Sequence, residues 1–175
     1  MHDGIAWARS VAVIALCAAA VVIDLRTRRI PNALTFGAAI LALAVNGIIG
    51  GVRGAAFSVL GWLVGAAIFY PFFALGGMGA GVVKLLASIG AWLGPVAALW
   101  TGIYGAIAGG VLAVLVAVRH RYLGTAVSNL GLLISSWRTS GVRSVPQLTL
   151  EHGRGPRLAY AVAISIGAVV TLWLR

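Results

Sequence analysis

The sequence predicts an all-α fold, a polytopic membrane helix bundle of about six transmembrane helices. Of the 175 residues, 61% are hydrophobic and only 9% are charged, whereas soluble domains carry about 25% charged residues. Apolar runs of membrane-spanning length recur along the chain, and basic residues gather in alternate loops between them. We therefore expect one membrane-embedded domain over residues 1–175, which crosses the inner (cytoplasmic) membrane several times.

The apolar runs define the expected helices. A transmembrane helix needs roughly 20 mostly apolar residues, and candidate spans lie near residues 5–23, 34–49, 55–75, 82–94, 95–118 and 158–174. Gly94 and Pro95 stand at the boundary between the fourth and fifth runs. They predict a tight hairpin there, because Pro commonly follows a helix-ending Gly. An alternative for the apolar run from about Ser10 to Ile23 is a signal peptide, since Arg9 precedes it and Ala18 and Ala20 offer a small-residue cleavage pattern. The run continues to Ile23 and more spans follow, which favours a retained helix.

Positive charge predicts the orientation in the membrane. Thirteen Lys and Arg face three Asp and Glu, a formal net charge of +10, and cytoplasmic loops of membrane proteins carry the excess of Lys and Arg. One side receives Arg26, Arg28, Arg29, Lys84, Arg119, Arg121, Arg138, Arg143, Arg154 and Arg157, and the other receives Arg9, Arg53 and Arg175. We expect both termini outside and the loops at 24–33, 76–84 and 119–157 in the cytoplasm.

The same charge predicts anionic lipids as partners. A basic nucleic-acid-binding domain is the alternative, but such a domain would not carry repeated apolar runs of membrane length, so we expect no nucleic acid partner. Within the long loop, residues 126–137 are apolar enough for a helix that lies on the membrane surface. Glycines four residues apart, as at Gly61 and Gly65 or Gly90 and Gly94, predict close helix packing.

Metal and cofactor chemistry finds little support in the sequence. Cys17 is the single cysteine and lies inside an apolar run, which indicates inert packing and excludes an internal disulfide. The three histidines, His2, His120 and His152, lack the spacing of metal ligands. We therefore expect neither a metal nor a cofactor.

Asp24 is the first candidate for chemistry. It ends the first apolar run and opens the segment DLRTRRIPN, residues 24–32. A carboxylate at a membrane boundary is costly unless it is paired, hydrated or used, so it is a functional hypothesis by default. The alternative is a structural ion pair with Arg28 at the end of a helix.

A glycine-rich segment is the second candidate. Residues 76–85 read GGMGAGVVKL, with four glycines in the first six positions, and such a backbone can bend sharply and approach a ligand closely. A phosphate-binding loop is excluded because no Lys-Ser/Thr pair follows in register and no strand precedes it.

These two segments resemble the two signatures of the type IV prepilin leader peptidases. Residues 24–32 are similar to the first signature, and residues 76–85 are similar to the second, Gly-x-Gly-Asp followed by a Lys. The resemblance continues through most of the chain, including residues 87–95 and 160–167. It implies an aspartic endopeptidase in which two membrane-embedded aspartates, one from each signature, cleave prepilin leaders. The small size resembles the short Tad/Flp-pilus branch, which would cleave leaders without methylating the product.

The resemblance implies Asp24 as one catalytic carboxylate, but Val82 stands at the position of the second. Aspartic proteolysis uses two close carboxylates that share a proton, and a valine can neither accept nor donate one. Gly79, Gly81 and Lys84 match the rest of the signature and are expected to form a turn that places position 82 opposite Asp24. The implied partner is a prepilin, which the chain is expected to bind without cleaving.

Several alternatives remain open at this point. Val82 is compatible with a deliberately inactivated variant, a natural pseudo-peptidase or a sequence error. Of the other acidic residues, Asp3 matches no motif position, and Glu151 in the long loop is a weak candidate for a replacement acid. Lys84 is expected to reach the headgroup level or to pair with Asp24. A non-catalytic prepilin-binding protein and a small transporter are the competing function classes; the near absence of polar residues in the other spans disfavours transport.

Overall fold

A computed structural model describes residues 2–141 and 158–174, and over those ranges the chain is helical without β-strands. The helices in chain order are α1 (His2–Thr27), α2 (Asn32–Ala74), α3 (Ala80–Leu93), α4 (Pro95–Arg119), α5 (Leu123–Ser140) and α6 (Tyr160–Trp173). The predicted all-α class is confirmed. Glu151 and the arginines at 143, 154 and 157 lie outside the described residues.

α2 consists of two antiparallel halves, residues 32–50 and 52–74. Gly51 between them has a φ of 56° and a ψ of −142°, a backbone conformation that is accessible to glycine and costly for other residues. The Ser58 hydroxyl donates a hydrogen bond to the carbonyl oxygen of Ala42 at 3.3 Å, although these residues would lie about 24 Å apart along a straight helix. The two halves therefore correspond to the second and third predicted spans.

α3 is the central helix of the bundle. Nearly all of its side chains from Val82 to Leu93 are buried, and α1, α2, α4 and α6 all contact it. Such a central, buried position suits a helix whose side chains are apolar on nearly all sides. Gly61 of α2 crosses Gly90 so closely that a Cβ on either would overlap the backbone carbonyl of the other. The predicted small-residue packing is confirmed at this crossing.

The link between α3 and α4 is a sharp hairpin. Gly94 ends α3 with a φ of 86°, and Pro95 is the first residue of α4. The position also requires a glycine for space, because a Cβ there would overlap the ring of Phe57. The hairpin predicted from the Gly-Pro pair is confirmed.

α4 and α6 pack against each other in antiparallel directions. The Thr101 hydroxyl donates to the hydroxyl of Thr171 at 3.2 Å. Further along, a Cβ on Gly109 would lie 3.5 Å from the Cβ of Ala163. Because residue numbers rise along one helix as they fall along the other, the C-terminal end of α4 lies beside the N-terminal end of α6.

A buried polar cluster joins the helices at the end of the bundle where α1 begins. The Asn46 amide nitrogen donates to the Ser58 hydroxyl at 2.7 Å and to the Ala91 carbonyl oxygen at 3.1 Å. The Arg9 guanidinium donates to the Asn46 Oδ1 at 2.9 Å. These bonds connect α1, both halves of α2 and α3, and interhelical hydrogen bonds of this kind stabilise membrane bundles by about 0.6–2 kcal/mol each.

The surface and the helix lengths are those of a membrane protein. α1, α2 and α4 are long and apolar enough to cross a membrane, while α3 and α6 are apolar but shorter. Large apolar side chains point outward from the bundle, among them Ile40 at 67%, Ile107 at 60% and Val114 at 56% exposure. Such a surface is stable in a lipid environment and would be an aggregation site in water.

Two predicted loops are partly helical in the structure. α3 begins at Ala80, so Ala80 and Gly81 are helical, and the predicted flexible turn at 79–81 is wrong; Lys84 likewise lies in α3 and not in a loop at 76–84. Contacts with neighbouring helices outweigh the low helix propensity of glycine here. Within the predicted loop at 119–157, α5 spans Leu123–Ser140, so the expected helix at 126–137 is present and longer.

Candidate functional site

Asp24 is buried near the C-terminal end of α1 and contacts the start of α6. Its side chain is 8% exposed, and its Oδ2 accepts a hydrogen bond from the backbone N–H of Ala161 at 3.2 Å. First-turn amides have no acceptor within their own helix, and the N-terminal end of a helix favours negative charge. The start of α6 therefore compensates the buried carboxylate and orients it.

The segment after Asp24 folds over the start of α3. Arg28 has a left-handed φ of 55°, a conformation that is uncommon for a residue other than Gly, Asn or Asp, and it ends the helix sharply. Ile30 then lies directly on Gly81, where a Cβ would come within 3.0 Å of the Ile30 Cβ. A side chain at position 81 would therefore push Ile30 outward by a few tenths of an ångström, and Gly81 allows the two motif segments to pack more closely.

Lys84 joins the same two segments. Its ammonium group donates a hydrogen bond to the Oδ1 of Asn32 at 2.9 Å and lies 5.4 Å from the centroid of the Phe36 ring, a favourable cation–π geometry. The observed partners of Lys84 are thus at the start of α2. The two segments that the sequence analysis singled out, 24–32 and 76–85, meet at one end of the bundle.

Val82 lies in the first turn of α3 and faces a cleft. Gly79 is the N-cap residue of this helix, and its carbonyl oxygen accepts a hydrogen bond from the Val82 N–H at 3.1 Å. The valine side chain is 7% exposed. It lines a cleft of about 270 Å³ that also borders α2, α4 and α6. Among the described residues that line this cleft, Tyr160 alone has a polar side chain.

The N-terminal end of α6 connects Asp24 to this cleft. Tyr160 lines the cleft together with Val82, and the next residue, Ala161, binds the Asp24 carboxylate. Asp24 is therefore held at one helix N-terminus, while Val82 occupies the first turn of another, α3. Both positions favour a negative charge. The arrangement holds one oriented carboxylate and has an apolar side chain where a second would be favourable.

Metal chemistry has no ligand cluster in the described part of the chain. Within residues 2–141 and 158–174, no three His, Cys, Asp or Glu side chains come together. Cys17 is buried among apolar residues of α1, as its sequence context predicts. His120 follows the end of α4.

Sequence reasoning missed the groups that hold the site together. The hydrogen-bond donor to Asp24 is a backbone amide. Because nearly every residue has such an amide, the sequence does not indicate which one will bind Asp24. Tyr160 was part of the resemblance over residues 160–167, yet nothing in the sequence indicated that it would border position 82. The buried Asn46 and Ser58 had a usable signal, because polar side chains within apolar spans often make interhelical hydrogen bonds.

Comparison with known proteins identifies the family of the chain. The model of the type IV leader peptidase family matches residues 11–114. The match includes Asp24 and position 82 and ends before α5 and α6, so the resemblance in residues 160–167 lies outside it. Neither the search of curated proteins nor that of solved structures found a match. The matched range covers more than half of the chain and contains both motif segments, and the chain therefore belongs to the type IV leader peptidase family.

Proposed function

We propose that this chain recognises the leader of a prepilin at the cytoplasmic face of the inner membrane and, with valine at position 82, binds it without cleaving it. Membership of the leader peptidase family supports the class of substrate. The observation that carries the inactivity is Val82 in the cleft beside the N-terminal end of α6, where the family signature has an aspartate.

The proposed chemistry is aspartic proteolysis. One carboxylate of a pair takes a proton from the attacking water, while the other donates a proton to the scissile carbonyl oxygen. Asp24 fits the first role, because the hydrogen bond from the Ala161 amide holds and orients its carboxyl group. Valine has no proton to exchange, so the second role is unfilled. The apolar cleft next to position 82 suits the apolar helix that follows a prepilin leader.

Two cellular assignments follow. The first is a leader peptidase of the short Tad/Flp-pilus kind whose activity is lost through Val82. The second is a membrane protein that binds prepilins or pilus-assembly components without cutting them. Val82 favours binding over cleavage in the chain as it stands, and the effect of an aspartate at position 82 distinguishes the two assignments.

The expected result with purified chain in lipid nanodiscs is capture of a prepilin that keeps its leader. Photo-crosslinking or co-purification measures capture, and gel mobility of the prepilin measures cleavage. Gly109→Leu, which fills the cleft, should weaken capture about tenfold, equivalent to about 1.4 kcal/mol. Gly37→Leu is the control, because a Cβ at that position would meet nothing within 4 Å and Gly37 does not line the cleft. Leader removal that Asp24→Asn abolishes would contradict the proposed inactivity.

Membrane orientation is expected to follow the distribution of charge. Arg26, Arg29 and Lys84 lie at the same end of the bundle as Asp24, whereas Arg53 lies near the opposite reversal of α2. In a Cys17→Ala background, Thr139→Cys should react with an impermeant thiol reagent from the cytoplasmic side and Arg53→Cys from the outside. Labelling of Thr139→Cys from the outside alone would contradict this orientation.

A further inference from the structure

α5 carries an exposed apolar stripe that no described helix covers. The helix contacts α4, and its half-buried residues are on the side of Ala126 and Leu133. On the adjacent side, four large apolar side chains follow one another at helical spacing. They are Leu123, Val127, Leu130 and Ile134, with exposures of 42%, 68%, 56% and 49%. The opposite side of the helix carries one exposed large apolar side chain, Leu132 at 56%, among glycines, serines and threonines.

Basic residues flank this stripe at both ends of α5. Arg119 and Arg121 precede the helix, Arg138 lies in its last turn, and all three are exposed. No acidic residue occurs between residues 119 and 141. An amphipathic helix with cationic residues beside its apolar face is typical of binding to an anionic membrane surface.

α5 begins at the end of the bundle that carries the exposed basic residues, which is the end expected at the membrane surface. The C-terminal end of α4, from which α5 continues, lies beside the N-terminal end of α6, where Ala161 binds Asp24. The exposed Arg26 and Arg29 of the segment between α1 and α2 lie at this same end. Arg119 and Arg121, which lie where α4 ends and α5 begins, are therefore at the same end of the bundle as Arg26 and Arg29.

We propose that α5 lies in the interfacial layer of the membrane, with the stripe of Leu123, Val127, Leu130 and Ile134 among the acyl chains. Arg119, Arg121 and Arg138 contact the phosphates of anionic phospholipids in this arrangement. A protein partner or a second copy of the chain would also cover an apolar stripe. The three exposed arginines at the ends of α5, with no acidic residue between positions 119 and 141, favour the anionic lipid surface as the occupant. This inference does not depend on prepilin recognition.

Spin labels on the two faces of α5 test the proposal. The full chain, with Cys17→Ala, receives a label at Leu130→Cys in the stripe or at Ser128→Cys on the opposite face, which also carries Ser135 and Thr139. Each is reconstituted into bilayers of phosphatidylcholine with or without phosphatidylglycerol. We expect the label at position 130 to be accessible to lipid-soluble oxygen and protected from a water-soluble nickel complex, and the label at position 128 to show the reverse. Adding phosphatidylglycerol should strengthen this difference.

The arginines and the salt concentration provide the charge test. Neutralising Arg119, Arg121 and Arg138 to Gln should lower the ratio of embedded to detached helix by about fivefold for each charge removed. Arg53→Gln, at the opposite end, should leave that ratio unchanged. Raising the salt from 0.1 to 1 M shortens the Debye length from about 10 to 3 Å and should lower the ratio in the unmodified helix as well.

Two results would overturn the proposal. Free access of the nickel complex to position 130 in bilayers with phosphatidylglycerol would mean that α5 does not enter the membrane. Protection of position 130 from both reagents would mean that protein covers the stripe, and dilution into excess lipid would then show whether a second copy supplies it.

Discussion

Replacing Val82 with aspartate is expected to give this chain leader-peptidase activity. The rate should exceed that of the unmodified chain by about 10²–10⁴-fold, the usual contribution of a positioned proton-transfer group. Position 82 lies in the first turn of α3, where the helix N-terminus stabilises a carboxylate. It also borders the cleft that Tyr160 lines, so the second carboxylate would lie near the N-terminal end of α6, where Ala161 binds Asp24.

The substitution is compatible with the local packing. Valine and aspartate are similar in size, and Val82 lies on an open cleft in addition to the apolar core. A carboxylate at position 82 can therefore reach the cleft without displacing a neighbouring helix. The contact of Ile30 with Gly81 and the bond of Lys84 to Asn32 should persist, because neither involves the Val82 side chain.

Matched variants separate chemistry from packing at position 82. Val82→Asn has nearly the same shape as Val82→Asp but lacks the acid, so it should remain inactive. Adding Asp24→Asn to Val82→Asp should abolish the gained activity. The assay follows leader removal from a prepilin at mildly acidic to neutral pH. A well-folded Val82→Asp chain that remains inert would reject the peptidase assignment of this site, and the non-catalytic binding function would then be favoured.

Asp24→Ala is expected to destabilise the protein, an effect that does not depend on whether the chain cleaves prepilins. The substitution removes the acceptor of the Ala161 amide, and a hydrogen bond to a charged group contributes about 1.5–3 kcal/mol. For a protein of this size, 2 kcal/mol corresponds to a fall in Tm of about 4–8 °C. α6 should detach from α1 first, because this bond joins the start of α6 to the end of α1.

The thermal stability of these variants can be measured through the reactivity of Cys17. It is a buried thiol in α1, so heating in the presence of a thiol-reactive dye reports loss of packing around that helix. Asp24→Asn, which keeps an acceptor oxygen without the charge, should fall between the unmodified chain and Asp24→Ala. Leu25→Ala is the control, since this neighbouring side chain is 54% exposed. Equal Tm values for Asp24→Ala and Leu25→Ala would show that the carboxylate does not anchor α6.

The sequence by itself determined the class of fold and most of the helix boundaries. Apolar length, Gly-Pro breaks and charge are local properties of the chain, so Gly94 and Pro95 sufficed to predict the hairpin between α3 and α4. The motif residues also identified the two segments that the structure brings together, since Asp24 and the glycines before Lys84 stand out in an otherwise apolar chain.

Only the tertiary structure decided how those residues are used. The donor to Asp24 is the backbone amide of Ala161, 137 positions away in the chain, and every residue except proline carries such an amide. Likewise, contact with Ile30 makes Gly81 part of a packed helix start, although four nearby glycines predict a flexible turn. Local sequence specifies propensity and polarity, whereas the partner of a buried charge and the conformation of a glycine depend on which distant segment packs against them.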